Sequence, residues 1–443
     1  MGAAAPLQAE VRVAGPGDYR SKLQKLEPGD TLALESGDYR RGLDIHGLEG
    51  KPGKRIHIAG PADGRKAVFH GKPGRNVVSI VDSAYVTIRH LHIDGGGKAV
   101  DGVKAEGHAR FAHHITLRHL VIENQAPNQQ IVGISTKCPT WGWVIRDNVI
   151  RRAGTGLYLG DSDGRAPFVE GLIEHNLVVD SIGYNMEIKH QDGRPELDGM
   201  PEEPVNTTIR HNVFVKGENS ADGDSARPNV LVGHFPPEGQ GSKDRYAIYG
   251  NVFYRNPTEG LLQGEGSVAL YDNLFVNPAG DGLAIMPHNG QPRRIWIFHN
   301  TVLAKDTGLF FKATDATSEQ LVGTNAVFAE TPFSGNFERN RENVTGSYGE
   351  AGSAFAAPFA GLGQLNLWPQ GDRLSLQAPL PGMILWQLPD ARRDFEGRRR
   401  SGQFAGAYAG SGEGPEWLPA RAIKPEPTRL APSQSERGEG GAR

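Results

Sequence analysis

The sequence predicts an all-β chain wound into a parallel β-helix solenoid, and three observations carry that expectation. Nine short apolar segments recur between Val86 and Phe328, each built around a turn residue at one fixed place. That residue is Asn in seven of the nine. Gly and Asn are abundant between the apolar runs, with 59 Gly and 30 Pro among 443 residues, which favours many turns and short strands. Length alone leaves open one large core or two to three ordinary domains.

In chain order, residues 1–12 look loose. A short helix is expected over 18–26, where Tyr19, Leu23 and Leu26 fall near helical spacing. Pro28-Gly29-Asp30 is a turn, Thr31–Leu34 a strand and Gly37-Asp38-Tyr39 another turn. Strands follow over 55–59, 67–70 and 77–81, separated by Gly and Pro. The repeat then begins with Val86-Thr-Ile-Arg-His-Leu-His-Ile and continues through segments such as Leu172-Ile-Glu-His-Asn-Leu-Val-Val and Ala269-Leu-Tyr-Asp-Asn-Leu-Phe-Val. The aligned turn positions are His90, His119, Asn148, Asn176, Asn212, Asn251, Asn273, Asn300 and Asn325, spaced 29, 29, 28, 36, 39, 22, 27 and 25 residues apart.

A period of this size means that each coil is one rung, burying its apolar side only against its neighbours. Asn tolerates a left-handed corner. Stacked at the strand spacing, equivalent Asn side chains can form a hydrogen-bonded ladder. A sandwich of antiparallel hairpins would instead show Asn-Gly turns at shorter spacing. The 18–26 helix is placed to cover the N-terminal end of the solenoid. The expected layout is a β-helix over 13–330, a C-terminal capping region over 331–410 that supplies Trp368, Leu374, Leu376, Met383, Ile384, Leu385 and Trp386, and a disordered tail over 411–443.

A net charge of −3 gives no global basic field for nucleic acid or an anionic membrane. The single cysteine, Cys138, excludes an intramolecular disulfide. No apolar run approaches the ~20 residues of a membrane span. The start, Met1-Gly2-Ala3-Ala4-Ala5-Pro6, has neither the basic nor the long apolar region of an intact signal peptide.

Between the Asn turns each rung carries a second strand, and alternation sorts its residues. The inward positions are Ile134, Leu157, Met186, Val230, Leu261, Leu283 and Leu309, then Thr136, Leu159, Ile188, Val232, Gln263, Ile285 and Phe311. The next positions, Lys137, Gly160, Lys189, Gly233, Gly264, Met286 and Lys312, point out. The residue after that turns the corner, which aligns Asp161, His190, His234 and Glu265 in one column beside Lys189, with His288 one place further on. The two longest rung spacings flank this column. Their insertions, 191–206, 217–229 and 236–245, are expected to wall a groove and to bring Arg194, Arg227, Lys243 and Arg245 to it. A basic, imidazole-rich groove on a slightly acidic protein suits an extended anionic polysaccharide.

At its two ends the chain resembles the right-handed parallel β-helix polysaccharide lyases and their uronate epimerase relatives. Leu26-Glu-Pro-Gly-Asp-Thr-Leu-Ala-Leu-Glu-Ser-Gly-Asp-Tyr39 is similar to the segment that opens alginate and chondroitin lyases of this fold. Asp394-Phe-Glu-Gly-Arg-Arg-Arg followed by Gly406-Ala-Tyr408 resembles a closing motif of exported carbohydrate-active proteins. The resemblance implies an all-β, right-handed parallel β-helix solenoid with a short N-terminal capping helix and a C-terminal capping region. It also implies a secreted or periplasmic protein whose signal peptide is absent from this chain. Those lyases pair a Lys with an Arg one rung later, whereas Gly233 follows Lys189 here, and the Asp-Pro-His-Asp motif of mannuronan epimerases is absent.

β-Elimination from a uronate needs a group to neutralise the carboxylate, a base for the C5 proton and an acid for the leaving oxygen. Arg194 and Arg227 are candidates for the first. Lys189, His190 and His234 are candidates for the base, and Tyr184 or the other histidine for the acid. Glu265, His288, Lys243 and Arg245 are candidates for lining the groove. Asp161, His190, His234 and Glu265 are alternatively candidates for holding a divalent metal such as calcium. The expected function is a polysaccharide lyase acting on an acidic glycan as a monomer. The alternatives are a uronate C5-epimerase, a glycoside hydrolase using carboxylates among Asp161, Asp163, Glu187 and Glu265, and a non-catalytic glycan-binding β-helix.

Overall fold

Short strands with alternating buried and half-exposed residues wind the chain into stacked coils. The structure, a computed structural model, describes residues 9–313, 319–336, 340–378, 380–400, 403–410 and 414–427. Three sheets run the length of the stack. Sheet A extends from Val11–Ala14 to Asn340–Arg341, sheet B from Gly37–Tyr39 to Val344–Gly346, and sheet C from Leu43–His46 to Thr331–Gly335. Among the described residues they hold 13, 12 and 11 strands, paired in parallel throughout. A short fourth sheet, D, turns the corner from C to A between Ser83–Ala84 and Phe168–Val169. The chain is thus the expected parallel β-helix.

Register is set by the apolar pattern. Inward positions of sheet A pair in one column: Ile58, Ile88, Leu117, Ile145, Ile173, Ile209, Ile248, Leu270 and Ile297. All are at most 1% exposed, so each contributes roughly 1.5–3 kcal/mol of apolar burial. Phe214, Phe253 and Phe275 form a second column behind sheet B, with ring centroids 5.3 and 4.5 Å apart.

The asparagine ladder lies at the A-to-B corner and runs from Asn148 to Asn343. Within it, both the main-chain N–H and the Nδ2 of Asn176 donate to Asn212 Oδ1, at 3.0 and 2.9 Å. The left-handed residue is not the Asn itself but the one before it: Asp147, His175, His211, Asp272, His299 and Thr324 have φ of 51–56°. His90 and His119 belong to that left-handed column, with φ of 56° and 52°. The expected alignment placed them one position too late. Leu91 and Leu120 occupy the Asn position on those rungs, and Leu120 N donates to Asn148 Oδ1 at 2.9 Å.

The N-terminal helix is Tyr19–Leu23. Tyr19 is buried, packs edge-on against Tyr39 and Phe69, and its hydroxyl donates to Gly42 O. Coiling persists beyond residue 330, because Thr331–Gly335, Asn340–Arg341 and Val344–Gly346 still join sheets C, A and B. The region after it covers the flank of the solenoid as well as its end. Leu365, Leu367, Leu374, Phe395 and Tyr408 pack on the outside of sheet B, and Leu380, Leu388 and Ala391 on the outside of sheet A.

The expectation of a disordered tail is corrected for residues 414–427, which lie down as a strap. Lys424 is 3% exposed and its ammonium donates to Gly250 O and Phe395 O at 2.8 and 2.6 Å. Residues 411–413 and 428–443 lie outside the described residues. Among the described residues, no helix is long and apolar enough to cross a membrane.

Candidate active site on sheet C

Three rungs of sheet C, Val132–Thr136, Thr155–Leu159 and Met186–Ile188, carry a group of ionisable side chains on this sheet's outer face. Pairing places Ser135, Tyr158 and Glu187 in one outward row. Lys137 and Lys189 follow the first and third of these strands. Between them stands Gly160, with φ of 90° and no side chain, so the intervening rung presents only backbone there, close against Lys189. The Tyr158 ring lies beneath, 3.6 Å from Lys137 Nζ and 5.9 Å from Lys189 Nζ. A cation over an aromatic face is attracted by its quadrupole.

Each lysine has a carboxylate. Lys189 Nζ donates to Glu187 Oε1 at 3.0 Å, and Lys137 Nζ lies 3.6 Å from Asp161 Oδ1. Lys189 and Glu187 side chains are 12% and 5% exposed. Burial lowers the pKa of Lys137 against the pull of Asp161. Burial, then the Glu187 charge, pushes Tyr158 and Tyr184 up, so both phenols keep their protons. The Arg227 guanidinium carbon stands 6.0 Å from the Tyr184 ring, on the 216–229 side.

On the opposite side, His190 and His234 end successive strands with ring centroids 5.3 Å apart. His234 Nδ1 faces Phe235 O at 2.8 Å. A carbonyl only accepts, so Nδ1 carries the proton and Nε2 is the basic nitrogen. His190 Nδ1 is buried without a partner. Burial, then the His234 and Lys189 charges, lowers the His190 pKa, which favours a neutral imidazole.

The structure therefore gathers Lys189, His190 and His234 at one end of these strands and Tyr184 with Arg227 at the other, sets Asp161 beside Lys137, and takes Arg194, Arg245 and Glu265 out of the groove. Arg194 is fully buried in an ion pair with Asp244 and also donates to Pro201 O, so it pins the 191–206 insertion. Arg245 belongs to the sheet A strand Arg245–Tyr249 and packs over Trp296 at 4.0 Å. Lys243 and His288 are exposed. The sequence alignment slipped by one residue at Leu262–Gly264. Leu262, not Leu261, pairs with Val230, so Gln263 faces out and Gly264 in. With two adjacent leucines, either register buries one.

Glu265 consequently stands opposite Gly233, in the column of Lys189, rather than at the corner with His190 and His234, and the 288–290 turn covers it. It is 1% exposed, and its carboxylate accepts from the N–H groups of His234, His288, Asn289 and Gly290 at 3.1, 2.8, 2.9 and 2.8 Å. Its oxygens are committed to the backbone, and Asp161 is committed to Ser162 N and Lys137. The four residues considered for a metal do not fit one. Among the described residues, no group of three or more His, Cys, Asp or Glu side chains converges on a cation position.

Lys137 and Tyr158 were missed as site residues. The available signal is alternation, which turns both side chains outward, Tyr158 on the strand whose corner residue is Asp161. Other cavities lie away from this face. One of about 60 Å³ sits under the strap, bounded by Arg210, His211, Asp272 and Glu426.

No family of known proteins matches the sequence, and no curated protein matches it either. Among solved structures, the chain is similar to a GH136 lacto-N-biosidase from Eubacterium ramulus at 12% identity and a TM-score of 0.43, over 75% of this chain and 68% of that one. It is similar to an alginate lyase from Paenibacillus sp. str. FPU-7 at 12% identity and 0.37, over 76% and 98%. It is similar to pectate lyase Pel9A at 13% identity and 0.37, over 92% and 91%. At these identities no residue's role is carried over to this chain.

Proposed function

We propose that this protein is a polysaccharide lyase that cleaves an acidic, uronate-bearing glycan by β-elimination on the outer face of sheet C. The observation that carries the proposal is the placement of two lysines, Lys137 and Lys189, around Tyr158, with a glycine and so no side chain on the rung between them. Lys189 and Arg227 bind and neutralise the uronate carboxylate, which lowers the cost of charge building at the adjacent C5. His190, favoured as neutral imidazole by burial, accepts the C5 proton. The C5–H electron pair becomes the C4–C5 double bond, the C4–O bond breaks, and the departing oxygen takes the Tyr158 phenol proton. Lys137, its charge beside that ring, stabilises the phenolate left behind. No step uses a metal. An acidic glycan of this kind places the protein in an exported setting.

The experiment is ultraviolet absorbance during incubation with alginates, glucuronans, pectate and glycosaminoglycans. New absorbance from a conjugated double bond, lost in Tyr158→Phe, His190→Ala and Lys189→Ala, supports elimination. Reducing ends without absorbance turn the site into a hydrolase built on Asp161 and Glu187. Binding with neither signal leaves a glycan-binding β-helix.

A further inference from the structure

Sheet A carries a basic row that this chemistry does not use. Arg89, Arg118, Arg146, Glu174 and Arg210 follow one another on its outer face, one per rung, at a spacing of about 4.8 Å. From Arg146 onward the charges are answered. Arg146 reaches Asp147, Glu174 and Glu426 at 2.9, 2.9 and 2.8 Å, and Arg210 reaches Glu174 at 2.7 Å.

Arg89 and Arg118 differ. Among the described residues, no carboxylate lies within 4.0 Å of either guanidinium. Both Nε atoms are buried and without a partner, and Arg118 Nη2 meets only a further imidazole, His119 Nε2 at 3.0 Å. His57, His90 and His119 surround the pair. Burial first disfavours their protonation, followed by the Arg89 charge at His57, by His119 and then the arginines at His90, and at His119 by Arg118 against the opposing pull of Asp147, whose Oδ2 lies 3.8 Å from His119 Nε2. Asp63, the acid of the neighbouring loop, is held by Arg65 at 2.8 Å. Hollows of about 890 and 250 Å³ open on either side of this loop, the larger against Arg89 and the smaller against His90 and His119.

Like charges directly opposite each other on adjacent strands destabilise a sheet. An unanswered pair with buried, unpaired donors is a site waiting for an anion. The guanidinium fork suits a planar carboxylate, and repetition along the solenoid axis suits a ligand whose charges also repeat. We propose that Arg89 and Arg118 form an oxyanion subsite that takes carboxylates of an acidic glycan strand lying along sheet A, away from sheet C. The glycan identity rests on the function proposed for sheet C; the oxyanion subsite does not.

The test is calorimetric titration of the full chain with a purified oligouronate and, separately, with inorganic sulfate. Wild type, Arg89→Gln/Arg118→Gln, Arg89→Lys/Arg118→Lys and Tyr158→Phe are compared. The expected result is two oligouronate sites in wild type and in Tyr158→Phe, and one in the Gln variant. The Lys variant recovers part of the loss. Affinity at the lost site falls by about tenfold or more. In the Gln variant KM for long polymer rises several-fold, while kcat and turnover of short oligomers stay unchanged. Unchanged stoichiometry and polymer KM in a natively folded Gln variant overturn the proposal. If oligouronate is neither bound nor cleaved by wild type, the function proposed for sheet C and the glycan assignment fall together. Sulfate then decides the rest: binding lost in the Gln variant upholds the oxyanion subsite, and binding absent or unaltered refutes it.

Discussion

Replacing Glu265 by Ala removes the carboxylate that ties the 288–290 turn to His234. Four N–H groups lose their acceptor: those of His234, His288, Asn289 and Gly290. Hydrogen bonds to a charged group contribute about 1.5–3 kcal/mol each, so a simple sum gives about 6–12 kcal/mol. Two terms reduce it. His288 and Asn289 are exposed, so water takes up those donors. Deleting a buried carboxylate also relieves its own desolvation, several kcal/mol. The expected net loss is about 3–5 kcal/mol. Glu265→Gln keeps the shape but turns an NH₂ group towards one set of donors, and should cost about 1.5–3 kcal/mol. Urea denaturation gives the loss, and amide exchange at residues 288–290 localises it. A loss below about 1 kcal/mol with unaltered exchange would refute the tethering role. Gly290→Ala separates stability from site geometry. A Cβ there would come within 2.4 Å of His234 Cδ2, displacing the ring while the carboxylate stays. Reduced kcat/KM with retained stability is expected from it.

Three further outcomes follow from the packing. Burial holds His113 at about 4 and lowers the pKa of His57, His90, His114, His119 and His190. As pH falls below 6.5 the unfolded chain takes up protons that these folded rings refuse, so stability declines from there down to about pH 4. Melting temperature across that window, with a shallower slope in His113→Phe, is the check. Asn212→Ala strips the acceptor from Asn176 N and Nδ2 in mid-ladder and should cost about 3–5 kcal/mol by chemical denaturation, whereas Asn343→Ala, at the half-buried end, should cost about 1 kcal/mol. Asp244→Ala leaves the fully buried Arg194 without a counter-charge, an expected loss of about 3–5 kcal/mol, while Arg194→Met/Asp244→Leu should recover most of it in the same assay.

The solenoid was legible because its determinants are local and repeated. One apolar residue per inward position is visible in each rung and one Asn per corner in most of them, and repetition multiplies both. Legibility failed where one rung offers two solutions or where partners are far apart in the chain. Leu261-Leu262 buries a leucine in either register, so the place of Glu265 could not be read. In the coil after residue 335, the segment Asn340-Arg341-Glu342-Asn343-Val344 has almost no apolar signature, so its sequence does not distinguish it from a cap. Arg194 and Asp244 are 50 residues apart, and only folding shows that the arginine is spent on a buried pair rather than free for substrate. At the site, the corner residues His190 and His234 were found by alignment. The pairing of Lys189 with Glu187 depends on side-chain directions along one strand, and that of Lys137 with Tyr158 on directions across two rungs.

The strap anchored at Lys424 changes how such a stack comes apart. An array of rungs held only by nearest neighbours can unzip from either end, one coil at a time. Here the C-terminal segment returns to the middle of the stack. Lys424 O accepts from His175 Nδ1 at 2.8 Å, and the ammonium of the same residue bonds Gly250 O and Phe395 O. Central coils and the final chain segment are thereby latched, and terminal fraying must stop or release the latch. A protease cut between Gly410 and Lys424 is therefore expected to broaden the melting transition or split it into stages.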